Sequence, residues 1–154
     1  MELLVAAHIG LGELGILAFF WLLLELLHGP SNAGMLRAKG AALAGTALLF
    51  SSWLVGGVYY VVHYGIAIKP VIQQGTWPWT HGIFMETKEH IFLFLPFLGT
   101  ATLVQLWQGV ERLEKDSRLK NGLYVLVSTT VLLGVLMTVM GYFVSSGFRH
   151  GLVL

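Results

Sequence analysis

Two carboxylates, a lysine and a histidine fall in one short stretch of this chain, Glu86-Thr87-Lys88-Glu89-His90, and an apolar run, Ile91–Leu98, follows at once. Glu86 and His90 stand four residues apart, so on a helix they face the same way. Imidazole and carboxylate together ligate iron, copper or zinc, and the same pair can also accept and release protons. Two further histidines, His8 and His63, lie inside apolar stretches of their own. Charge and imidazole at the mouth of an apolar helix are costly unless partnered, which makes them functional candidates. The bland alternative pairs Glu86 and Glu89 with Lys88, Lys69 or Arg149 in a headgroup region. Cysteine is absent, which excludes disulfides, iron–sulfur clusters and thiolate metal sites.

The elements that must position these groups are apolar. The chain has 154 residues, which suggests one domain, with 56% hydrophobic and only 11% charged residues and a mean hydropathy of +0.76. Soluble domains are about a quarter charged, so this is a membrane composition. The net charge of +1 gives no electrostatic case for nucleic acid. Residues 3–27, 40–68, 83–107 and 122–148 are each long enough to cross a hydrocarbon core of roughly 30 Å as a helix. The first lacks a basic start and a small-residue cleavage site, so it is expected to be retained. His28-Gly29-Pro30-Ser31-Asn32 should end the first span and Lys69-Pro70 the second. Trp77, Trp79 and Tyr64 fit an aromatic belt at a membrane surface.

The fold expected is an all-α integral membrane protein, a four-transmembrane-helix up-and-down bundle. Arg37, Lys39, Arg112, Lys115, Arg118 and Lys120 gather in the first and third connections. They should be cytoplasmic, with both termini and the Trp-rich connection outside. Such a chain belongs in the inner membrane of a bacterium or archaeon.

In that topology His8, His63 and His90 arrive at one depth near the outer surface. His81 and His150 lie on the same side, closer to water, and read as interfacial. His28 reads as a helix-end residue at the inner side. Gly12 and Gly15 share the face of His8, and Gly56 lies seven residues before His63 on its face. Glycine on such a stripe admits a neighbouring helix or a flat cofactor. Glu13, halfway along the first span, is turned away from His8 and must be protonated, paired or at a subunit contact. Gly10-Leu11-Gly12-Glu13-Leu14-Gly15 matches a dinucleotide fingerprint, but no strand precedes it.

Apolar spans with histidine and glycine on shared faces resemble small four-helix membrane cytochromes b and the related copper-resistance membrane family. The resemblance implies a haem b held by two of His8, His63 and His90, against Gly12 and Gly56. Families with stacked haems carry two histidines on one helix. Here only the first span does so, with His8 and His28, which points to one haem near the outer face. The function expected is electron transfer between a quinol or external carrier and a partner protein, with Glu86 and Glu89 handling protons. Two alternatives are a copper, iron or zinc site built from His8, His63, His90 and Glu86, and a non-catalytic subunit of a respiratory or photosynthetic complex.

Overall fold

The computed structural model describes residues 2–28 and 31–153. Gly29 and Pro30 of the expected first turn lie outside the described residues. The chain is helical, with no strand among the described residues. Four long helices, α1 (Glu2–Leu27), α2 (Asn32–Gln74), α3 (Thr80–Leu106) and α5 (Ser117–Gly151), are apolar and long enough to cross a membrane. A short helix, α4 (Val110–Lys115), lies between the last two.

Capping chemistry, rather than hydropathy, sets several helix ends. Ser31 Oγ accepts from the Gly34 N–H at 3.0 Å, so α2 starts at Asn32 and not near Gly40. Asp116 Oδ1 accepts from the N–H groups of Arg118 and Leu119, so α5 starts at Ser117. Gly109, with φ of 86°, separates α3 from α4 in a conformation that side-chain-bearing residues avoid. Lys69-Pro70 does not end α2, which runs on to Gln74. Residues Tyr60–Ile68 form wide π-helical turns, and Pro70 opens the α-helical segment that follows. In a first turn the missing proline N–H costs no hydrogen bond. Pro96 has the opposite effect on α3. It cannot donate to the carbonyl of Phe92, and the helix loosens at Phe92–Leu93 between its regular segments.

The helices approach through glycine. On α1 and α2, Gly15 meets Leu49, Phe19 covers Gly45 and the His8 ring covers Gly56, so the two run antiparallel. Thr46 meets Gly99, and the ring pairs Phe50–Phe97 and Trp53–Phe92 join α2 to α3, again antiparallel. Ile16 against Gly134 ties α1 to α5, and Phe84 stacked on Phe143 at 4.8 Å ties α3 to α5. Phe19, Leu22, Ala42, Leu106 and Val127 are fully buried along this core. The opposite faces present Leu3, Leu36, Val61, Ile66 and Val125 almost bare. Water does not tolerate apolar surface on that scale, whereas lipid does.

Two ion pairs occur among the described residues. Arg37 Nε lies 2.7 Å from Glu25 Oε1 and fastens α2 to α1 at the basic end, and Lys115 pairs with Glu111 on α4. The expected pairing of Glu86 or Glu89 with Lys88, Lys69 or Arg149 is therefore not made. Lys88 points inward against Gly141, and Arg149 is held by Ser145 and Ser146.

Candidate functional site

Polar side chains from all four long helices meet in the half of the molecule that carries Trp77 and Trp79. The deeper group is built on α1. Glu13, halfway along that helix, accepts a hydrogen bond of 2.8 Å from Thr138 Oγ1 of α5. Lys88 enters from α3, and its Nζ lies against Gly141 of α5, where a Cβ would be only 3.1 Å away. Lys88 and Glu13 lie within electrostatic reach of each other, as do His8 and Lys88. Gly141 thus provides the opening through which a lysine stem crosses to α5, a role that spacing alone assigns to no residue.

His8 is fixed by α2. Its Nδ1 lies 2.9 Å from the Ser52 carbonyl and 3.0 Å from Ser52 Oγ, while that hydroxyl donates to the His8 carbonyl at 2.8 Å. A carbonyl only accepts, so Nδ1 carries the proton and Nε2 is the free, basic nitrogen. The ring lies on Gly56, whose absent Cβ would sit 2.5 Å from Nδ1, and Ser52 Oγ covers Gly12, 3.2 Å from where a Cβ would stand. Gly12 and Gly56 thus receive Ser52 and the His8 ring. A porphyrin in that place would require the ring to leave Gly56.

The outer group is built where two π-helical segments face each other, Tyr60–Ile68 on α2 and Thr80–Met85 on α3. Such wide turns are rare and concentrate at functional positions. Tyr64 and His81, 2% and 3% exposed, share a hydrogen bond of 2.9 Å between the hydroxyl and Nδ1. Tyr60 stacks on Tyr64 at 5.3 Å and stands beside Glu89. Glu89 Oε1 is buried and makes no hydrogen bond. His81, expected at the interface, is instead among the most buried polar residues. The wide turns also rotate the chain after Gly56, so that Tyr64 takes the interior and His63 lies half-buried against Tyr59 at 5.5 Å. Tyr64→Phe would strand the His81 nitrogen in an apolar setting. A loss of about 1–3 kcal/mol in unfolding free energy is expected, measured by denaturation in detergent.

The remaining sequence candidates are dispersed. His90 is exposed and donates from Nδ1 to the Glu86 carbonyl at 2.6 Å, a bond within its own helix. The Glu86 side chain is exposed. His28 caps the end of α1 through Leu24, and His150 stacks on Trp77 at 4.1 Å. Among the described residues no three of His, Asp and Glu converge as metal ligands. The sequence marks Lys88 as a carboxylate partner, Tyr64 as part of an aromatic belt and His81 as interfacial, and its spacing carries no signal for the Tyr64–His81 bond or for Ser52 and Thr138. The one available signal was the density of Tyr59, Tyr60, His63 and Tyr64 in a single span. The chain was compared with family models, curated proteins and solved structures, and it matches none. The likeness to small cytochromes b therefore rests on the pattern of spans, histidines and glycines alone.

Proposed function

We propose that this chain is a membrane protein that moves protons through a polar layer in the outer half of the bilayer. It forms an up-and-down bundle with both termini outside, in the cytoplasmic membrane of a bacterium or archaeon. The excess of Arg and Lys in the first and third connections supports that orientation. One observation carries the functional reading. Lys88 is turned into the bundle, and Glu13, half-buried on another helix and bonded to the exposed Thr138, lies within its electrostatic reach. A carboxylate and an ammonium inside a membrane are too costly to serve packing alone.

The chemistry available is acid–base. Glu13 takes up and releases the proton, and Thr138 donates to its carboxyl. His8 presents a basic Nε2 to the same interior. Glu89, beside Tyr60 and the Tyr64–His81 pair, forms the relay toward the outer surface. Glu86, exposed on the same helix as Glu89, would exchange protons with the outer surface. A membrane hydrogen carrier of the quinol type, with a redox partner protein, is the natural source of such protons.

Infrared difference spectroscopy of the protein in lipid vesicles tests this. A protonated-carboxyl band should titrate with pH, disappear in Glu13→Gln and shift in Lys88→Met. A wild-type spectrum with no titrating carboxyl band, or a band indifferent to Glu13→Gln, would defeat the proposal.

A second reading, a b-type cytochrome carrying one haem near the outer face, is favoured by one detail. The His8 tautomer, with Nδ1–H held by a carbonyl, leaves Nε2 free as an iron ligand requires. His63 or His90 would lie opposite, and a bound haem would supply one-electron transfer. The His8 ring would have to leave Gly56, and copper, iron or zinc would require His8, His63, His90 and Glu86 to regroup. A reduced-minus-oxidised visible spectrum of protein made with haem supplied decides the matter. Haem bands lost in His63→Ala would establish this reading, and their absence in the wild type would remove it.

A further inference from the structure

Apart from the polar layer, a groove of about 470 Å³ opens at the Trp-rich end, between the last turns of α5 and the connection that carries Trp77. Its position is set by backbone contact. A Cβ on Gly75 would lie 2.9 Å from Gly151 Cα, and one on Gly151 would lie 2.6 Å from the Val71 carbonyl oxygen. Only glycine permits that approach, which holds the Trp77 connection against the end of α5.

The groove has one cationic wall and one aromatic wall. Arg149 donates from Nη1 to Ser145 Oγ at 2.7 Å and from Nη2 to Ser146 Oγ at 2.9 Å. Those bonds orient the guanidinium and use two of its five donors, leaving the rest for an anion. Among the described residues no carboxylate forms an ion pair with it. The carbonyl end of α5 alone would repel an anion, and the Arg149 guanidinium reverses the sign there. Trp77 stacks on His150 at 4.1 Å, and Tyr142 stands beside Phe143, its ring largely exposed on the flank of α5.

We propose that this groove binds the phosphate headgroup of an anionic phospholipid in the leaflet at the Trp-rich end. Arg149 takes the phosphate, Trp77 and His150 cover the glycerol region, and an acyl chain runs down α5 past Tyr142. The aromatic wall favours a lipid over a free anion. Inorganic phosphate would use Arg149 and leave that wall bare, whereas a lipid satisfies both and continues along an apolar helix.

Native mass spectrometry and thermal unfolding of the full chain in mild detergent test this, with phosphatidylglycerol, phosphatidylcholine or inorganic phosphate added. Phosphatidylglycerol should bind roughly ten-fold more tightly than phosphatidylcholine, as charge-assisted guanidinium–phosphate bonds imply. Arg149→Gln should erase that preference, and Lys120→Gln at the other end should leave it intact. Should Arg149→Gln fail to fold, Tyr142→Ala, on the exposed flank, should weaken both lipids and keep their ratio. Equal binding of the two lipids, or a preference that survives Arg149→Gln, would overturn the proposal. So would inorganic phosphate displacing phosphatidylglycerol at comparable concentration, which would mark a bare anion site.

Discussion

Glu13→Gln should lower the stability of the detergent-solubilised protein by about 2 kcal/mol, and adding Lys88→Met should restore most of that loss. The glutamine keeps the shape of the side chain and can still accept from Thr138 Oγ1, so packing and the 2.8 Å bond are retained. What disappears is the negative charge facing Lys88, whose ammonium is lodged against Gly141 and has no ion-pair partner within bonding distance. The two groups interact across a gap, yet low-dielectric surroundings keep such an interaction strong. Methionine keeps the apolar stem in the Gly141 opening and removes the uncompensated charge. Equilibrium unfolding of the wild type, both single variants and the double variant gives the coupling directly. Additive losses would show that the two charges do not sense each other, and the acid–base reading would lose its physical basis.

Gly147→Ala should be strongly damaging, with a loss of about 2–3 kcal/mol. An added Cβ at Gly147 would overlap Thr80 Oγ1 and stand 3.0 Å from Thr80 Cβ. Thr80 is fully buried and its hydroxyl is committed to the Trp77 carbonyl at 2.8 Å, so it has no easy retreat. The contact sits where the π-helical start of α3 presses on α5, directly beside His81. The variant should therefore also disturb the Tyr64–His81 bond, detectable as altered tyrosine ultraviolet absorption. Thr80→Ala should recover part of the loss when combined with Gly147→Ala, since it removes the nearest atom. The internal control is Gly40→Ala. Nothing lies within 4 Å of that position, and the helix should gain about 0.5–1 kcal/mol from the better helix former. Equal effects at Gly147 and Gly40 would show that α3 and α5 are not in contact as described.

Helix ends show where hydropathy stops being informative. The apolar run gave 40–68 for the second span, whereas α2 covers Asn32–Gln74. The additional residues mix charged, polar and apolar side chains and are recruited by the Ser31 cap at one end and by π-helical turns at the other. A cap is a local hydrogen bond, visible in the sequence once it is looked for. The π-helical turns are not visible, because no residue type requires them.

The sequence by itself determined the class of this protein. Four runs of apolar residues with few charges call for helices, and the structure has four helices long and apolar enough to cross a membrane. Histidines are also expected to concentrate toward one end, because that follows from their positions along alternating spans. Glu13 stood out for the same reason, as a carboxyl halfway along an apolar helix. Tertiary structure decided which of these groups act together. It turned Lys88 inward toward Glu13, placed Tyr64 rather than His63 in the interior, and filled the glycine notches with Ser52 and the His8 ring. The physical reason is rotation. Depth along a helix is fixed by residue count, but facing depends on every turn before it. A run of wide turns, or a lysine stem passing a glycine, changes which side chains meet without changing a single spacing in the sequence.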